Sequence, residues 1–262
     1  MGNIISFIRS RFPHPPTLTE NDIPPLNGRV LIVTGGYSGC GLELVKMLFH
    51  AGGKVYIAGR SRQKAEAAIN KILGSAAAPA DGVSKKDREN NLAFLQLDLA
   101  DLTTIKDSAR EFLDKEDRLD IILQAGVMLP PPDTAREDVP KFSTRVIFVT
   151  SNAHSGGPAP DGVNWEDLNL TTSKKRNLPW WLDAIFASTR YSPRYGALSE
   201  FYAGFNSEVD TTMIEDGGRN GGYVLPWGRF GQCASHVFEG LTERNTGERL
   251  WNMCEEMLKD YM

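Results

Sequence analysis

The 262-residue chain is short of cysteine, of long apolar runs and of basic tracts, and each shortage removes a class of protein. Cys40, Cys233 and Cys254 form an odd, scattered set without metal-ligand spacing. No cleavable secretory signal stands before the first apolar strand, so a reducing, cytoplasmic setting is expected. No stretch reaches the ~18 apolar residues that a membrane-spanning helix needs. Lys and Arg number 29 against 33 Asp and Glu, a net charge of −4. No basic run is interleaved with aromatics, which excludes nucleic acid as the main partner.

What the chain does have is a glycine-rich turn in a telling place. Arg29–Gly41, RVLIVTGGYSGCG, runs an apolar strand into Gly35, Gly39 and Gly41, with Ser38 and Cys40 between them. Leu44, Val45, Leu48 and Phe49 then recur at helical spacing. Strand, glycine turn and helix in that order suit a dinucleotide. Gly35 permits the tight turn, Gly39 lets the backbone approach a pyrophosphate, and Gly41 allows close helix–strand packing.

The first half of the chain keeps that rhythm. Lys54–Ala58 is a second strand, ending at Gly59 and Arg60, and Ala65, Ala68, Ile69, Ile72 and Leu73 share a helical face. Gly74–Asn90 reads as a surface insertion. Asn91–Leu99 is a third strand containing Asp98, Leu102–Leu113 an amphipathic helix, and Leu119–Gly126 a fourth strand. Repeated strand and helix predict a parallel sheet covered on both faces. Beyond it, Arg145–Thr150 is a fifth strand, but the connection Val127–Thr144 carries four prolines, which leave little room for a crossover helix. Asn152–Arg176 is polar and aperiodic. Trp180–Phe186 and Tyr195–Phe205 are apolar helices, Gly222–Trp227 the last strand, and Leu250, Cys254, Met257, Leu258 and Tyr261 mark a C-terminal amphipathic helix.

The expected fold is α/β, a single Rossmann-like doubly wound parallel sheet over residues 28–262, shortened in its second half. One or two crossover helices and one strand are expected to be absent. An N-terminal arm and Pro-rich linker occupy residues 1–27. Within the arm, MGNIIS fits a pattern for myristoylation of Gly2, and Ile4, Ile5, Phe7, Ile8 and Phe12 with Arg9 and Arg11 make a basic-apolar segment. Packing of this arm on the domain is the favoured reading, and weak contact with a membrane surface is the second.

Thr34-Gly35-x-x-x-Gly39-x-Gly41, Asp98, the Leu119–Met128 segment and the Val149-Thr150-Ser151 strand end together resemble the short-chain dehydrogenase/reductase family. AGRSRQKAEAAI, YGALSEFYAG and GGYVLPWGRFG resemble its retinol-dehydrogenase-like group of fungal specialised metabolism. The resemblance implies that Gly35, Gly39 and Gly41 cradle the pyrophosphate and that Asp98 meets the adenine edge. It further implies that Gln124, Ala125 and Gly126 line the nicotinamide ribose and that Ser151 orients the substrate oxygen. An NAD site wants a carboxylate at the end of the second strand. Here Arg60, Ser61, Arg62 and Lys64 stand instead, donors suited to a 2′-phosphate, so NADP is expected.

The chain departs from the family pattern where the chemistry sits. Asn-Asn-Ala-Gly is replaced by Leu123-Gln124-Ala125-Gly126, and the fourth-to-fifth connection lacks roughly thirty residues of helix, including a relay Asn, judged against an ordinary crossover. No Tyr-x-x-x-Lys follows Ser151. That pair supplies the proton as a phenol tuned by an ammonium. Tyr191 and Tyr195 are four apart with no lysine, Leu170–Lys174 echoes the motif with a leucine in place of tyrosine, and His154 suits positioning or loop capping. The leading expectation is an NADP-dependent oxidoreductase of fungal secondary metabolism acting on a mid-sized apolar ketone or alcohol. The alternatives are an NADP-holding pseudoenzyme and a shortened translation of a longer reductase. The family's usual dimer is not expected, because the helices that would build it are missing.

Overall fold

The computed structural model describes residues 13–75, 90–124, 145–148, 160–161, 163–167, 191–205, 223–231 and 234–261. By proximity the chain groups into two compact units. One comprises His14–Thr150 with Ser192–Arg229, and the other Met1–Pro13, Ser151–Tyr191 and Phe230–Met262.

The first unit is a five-stranded parallel sheet of β1 (Val30–Thr34), β2 (Lys54–Gly59), β3 (Leu92–Gln96), β4 (Ile121–Gln124) and β5 (Arg145–Phe148). Its spatial order is β3-β2-β1-β4-β5. The chain winds outward from β1 to β3 and then restarts on the other side of β1, which puts a topological switch point between β1 and β4. β1 is central and buried along its whole length, the burial expected of a parallel strand covered on both faces. The register sets Thr34 opposite Ala58 on one side and Gln124 on the other. Asp120 fastens the start of β4 to β1, its Oδ2 accepting from the Val30 N–H at 2.9 Å.

Three helices enclose one face. α1 (Gly39–His50) and α2 (Arg62–Ser75) follow the first two strands, and α4 (Pro193–Phe205) returns from far along the chain. Leu44, Val45 and Leu48 of α1 meet Leu31, Val33 and Ile57 of the sheet, and Ala197, Leu198 and Phe201 of α4 complete that core. Leu18, Ile23 and Leu26, all expected within the linker, pack into it as well. α3 (Ile105–Leu113) covers the opposite face, where Phe112 meets Tyr56 edge to face at 5.2 Å. The Tyr56 hydroxyl donates to Glu116 at 2.5 Å, and burial, followed by that carboxylate, pushes its pKa well up.

Most strands fall where the sequence puts them, with small differences at their ends. β3 stops at Gln96 and leaves Asp98 in the following turn, and β4 begins at Ile121. β6 (Tyr223–Leu225) stands in a separate two-stranded sheet and does not extend the five-stranded one. The connection between β4 and β5, the segment 168–190 and residues 149–159 lie outside the described residues, as do the expectations made for them.

β7 (Arg229–Gly231) leads the chain into the second unit, which contains α5 (Ser235–Glu243) and α6 (Thr246–Leu258). Neither β7 nor α5 is among the sequence expectations. Asp161 ties a loop to the start of α6: its carboxylate accepts from Trp165 Nε1 and Thr246 Oγ1, each at 3.0 Å, and from the Val163 N–H at 3.2 Å. The Trp165 hydrogen bond leads the interactions that hold this carboxyl below the usual range. No helix among the described residues is long and apolar enough to cross a membrane.

Phe201 is fully buried between α1 and the sheet. Phe201→Ala should lower unfolding free energy by about 3–5 kcal/mol, the cost of lost burial and a residual cavity, as measured by denaturant melts.

Candidate functional site

The carboxyl ends of β1, β2 and β4 meet at the switch point. β1 passes into Gly35, whose N–H donates to the Ala58 carbonyl at 2.8 Å before the chain turns away. Gly35 and Gly39 have φ of +66° and +55°, values that favour glycine. A Cβ on Gly41 would lie 2.9 Å from the Gly35 carbonyl oxygen, and one on Gly36 would lie 2.8 Å from Val45 Cγ2. At Gly39 the surroundings differ, because a Cβ there would meet nothing within 4 Å. The loop is therefore packed tight on its inner side and open above Gly39.

The start of α1 at this opening is not neutralised. Ser38, its N-cap residue, makes no side-chain cap, and the first turn holds no acidic residue. Free N–H groups at the N-terminus of a twelve-residue helix attract an anion.

At the end of β2, Tyr37 lies against Gly59, where a Cβ would stand 2.5 Å from its ring. Arg62 is engaged, its guanidinium 4.6 Å from the centre of the Phe94 ring. Ser61 Oγ accepts from the Lys64 N–H at 3.3 Å. The Arg60 and Lys64 side chains are exposed and form no ion pair among the described residues. Asp98 follows β3 and turns one carboxylate oxygen inward, accepting from the Ala100 N–H at 3.0 Å. Gln124 ends β4 level with Thr34. The structure thus gathers Gly35, Ser38, Gly39, Cys40, Gly41, Arg60, Lys64, Asp98 and Gln124 at the carboxyl end of one sheet. Ala125, Gly126, Ser151 and His154 lie outside the described residues. Tyr195 packs in the sheet unit, its ring 4.7 Å from that of Trp227.

One feature beneath the glycine loop escaped the sequence reading. Gly196 and Glu200, one turn apart on α4, belong to the stretch that packs along α1. A Cβ on Gly196 would stand 2.5 Å from Cys40 Sγ, so the thiol occupies the space that glycine leaves open. Burial, with the Glu200 carboxylate next, pushes the Cys40 thiol up, which keeps it protonated. Glu200 itself is 4% exposed, and its Oε2 has no hydrogen-bond partner among the described residues. Burial pushes its carboxyl up to about 7. The only cue in the sequence is an acid in an otherwise apolar stretch, YGALSEFYAGF.

A hollow of about 350 Å³ lies at the opposite end of the strands, beside Gly28, Lys54, Asn91 and Glu116. Strand carboxyl ends, not this end, are where open α/β sheets bind ligands. Among the described residues no group of His, Cys, Asp and Glu is placed to hold a metal.

Comparisons of the sequence with known proteins point to one family. The short chain dehydrogenase family model matches residues 29–154. A short-chain dehydrogenase/reductase of Phomopsis amygdali is 32% identical over 332 residues, taking in 96% of both chains. One of Armillaria gallica is 30% identical over 333 residues and all of both chains. One of Neocamarosporium betae is 41% identical over 342 residues, covering 99% of this chain and 94% of that one. An alignment of 333 residues over a chain of 262 leaves about 70 positions of the Armillaria protein without a counterpart here.

Glu200 makes stability depend on pH. Its folded pKa of about 7 stands above the ordinary 4.5, so its cost is absent below pH 4.5, grows as pH rises and is complete above pH 7. Glu200→Gln should raise unfolding free energy at pH 8 by up to about 3 kcal/mol and flatten the decline between pH 4.5 and 7 in denaturant melts.

Proposed function

Because this chain belongs to the short-chain dehydrogenase/reductase family of oxidoreductases, we propose that it is an NADP-dependent member serving fungal secondary metabolism. Its substrate is a mid-sized apolar ketone or alcohol. The observation that carries the cofactor choice is the end of β2, where no carboxylate stands and the exposed Arg60 and Lys64 are available to a 2′-phosphate.

The residues present fit the dinucleotide. Gly39, open on its outer side, leaves room for the pyrophosphate against the N–H groups that begin α1. Gly41 and Gly36 keep that helix close to β1. Tyr37 and Asp98 flank the path from β2 to β3, where an adenosine would lie. Gln124, Ala125 and Gly126 would continue the site toward the nicotinamide, and Ser151 would orient the substrate oxygen. NADP supplies a hydride donor or acceptor when bound; the protein has to supply position and a proton.

The proton is the weak point, and it favours a second reading. The chain has no Tyr-x-x-x-Lys, and about 70 positions of the Armillaria relative are absent from it. A chain that keeps the nucleotide loop and lacks the phenol and ammonium would hold NADP without turning over by the family's route, as a pseudoenzyme.

Titration with NADPH and NADH, followed by an assay for NADPH consumption with apolar ketones, separates these readings. NADPH should bind more tightly, and Arg60→Glu should weaken it by about tenfold or more, roughly 1.4 kcal/mol, with little effect on NADH. Equal weakening of both would overturn the NADP assignment. Binding with turnover supports the reductase, binding without turnover supports the pseudoenzyme, and failure to bind either nucleotide defeats both. Gly41→Ala should abolish binding by driving α1 off the Gly35 carbonyl, read in the same titration.

A further inference from the structure

The second unit carries an apolar surface that nucleotide chemistry does not use. Leu250, Cys254, Met257 and Tyr261 recur at spacings of four, three and four along and just beyond α6, so they share one face. On α5, Phe238 and Leu241 are three apart, and Leu241 adjoins the start of α6, where a Cβ on Gly247 would lie 3.2 Å from its Cδ2. Met257 is 65% exposed and Phe238 56%, and Leu241, Leu250, Trp251 and Tyr261 are exposed beside them. Six large apolar side chains are thus exposed on or just beyond two adjoining short helices, a concentration that marks an apolar face.

The charge around the patch has one sign. Residues 234–261 contain six acids and three bases. All three bases are engaged: Arg244 with the Pro160 carbonyl at 3.2 Å, Arg249 over the Trp165 ring at 3.8 Å, and Lys259 with Glu256 at 3.6 Å. The surplus is negative, and Glu255 and Asp260 stand beside the apolar face along the helix.

We propose that this face is the seat of the chain's own N-terminal segment, residues 1–12. That segment lies outside the described residues, and its sequence is the complement of the patch. Ile4, Ile5, Phe7, Ile8 and Phe12 supply apolar anchors, Arg9 and Arg11 supply positive charge, and no acid is present. An anionic membrane would meet the same arm but be repelled by the acidic rim. The length of the chain allows this seating. The Thr17 hydroxyl donates to the Gly228 carbonyl at 2.8 Å, which fastens the arm's base at the point where the chain turns toward β7 and α5. Ser235, the first residue of α5, comes seven residues after Gly228. Twelve residues span ~18 Å as a helix and up to ~40 Å extended. The fit is that of an amphipathic segment laid on an apolar groove and held by opposite charge at its edges.

Cys254 lies on the patch and provides the test. In the full chain, Ile4, Phe7 or Ile8 is replaced one at a time by Cys and the protein is oxidised. At least one variant should form an intramolecular disulfide with Cys254, identified by peptide mass mapping and independent of protein concentration. Trypsin should cut after Arg9 and Arg11 several-fold more slowly in the unsubstituted chain than in Met257→Asp. Phe238→Asp, on the other helix, should accelerate cleavage likewise, and both exposed positions should leave the melting temperature unchanged. A disulfide formed only between two copies would assign the patch to self-association and overturn the proposal. So would equal cleavage rates in all three proteins, or arm-dependent sedimentation with phosphatidylserine vesicles in place of the intramolecular bond.

Discussion

The contact between Gly41 and the Gly35 carbonyl is the constraint on which the site depends. It lets α1 begin hard against the end of β1, so that the helix N-terminus and the strand's carboxyl end share one opening. A side chain at Gly41, or at Gly36 where Val45 closes in, would have to push the helix outward. The approach is maintained from behind, because α4 presses α1 onto the sheet through Ala197, Leu198 and Phe201. Loop geometry at one end of the helix and packing along its length are therefore one requirement, met at two places.

That packing has a cost inside it. Cys40 occupies the space opened by Gly196, and one turn further along α4 the carboxyl of Glu200 is buried with an unpartnered oxygen. A carboxylic acid there is tolerated because burial lets it keep its proton near neutrality, which is cheaper than a bare charge between two helices. The protein thus keeps a titratable group on the helix that packs beneath its glycine loop.

The shortened half of the chain matters for a different reason. The half of the chain from β1 through β4 forms four neighbouring parallel strands, and Gly35 and Gly39 in the loop after β1 have positive φ. No Tyr-x-x-x-Lys follows Ser151, and the Armillaria relative carries about 70 positions without a counterpart here. Binding and chemistry are separable in this architecture, since the first depends on strand ends and one helix start, and the second on side chains from later elements.

Much of the fold was legible because its causes are local. Val30–Thr34 and Lys54–Gly59 announce themselves as continuous apolar runs, the pattern of strands buried on both faces, and the glycine turn follows from conformations that other residues avoid. α5 was not legible, since Val237, Phe238 and Leu241 are too few to establish a period. Nor was the place of Leu18, Ile23 and Leu26, whose spacing resembles a linker until the core they enter is known. By itself the sequence determined the parallel α/β class, the turn at Gly35–Gly41 and the absence of a tyrosine–lysine pair, all properties of short segments. Only the tertiary structure decided that α4 lies along α1, that Cys40 meets Gly196, and that Glu200 is buried. Those contacts join residues more than 150 apart, and their geometry is set by the order of the strands.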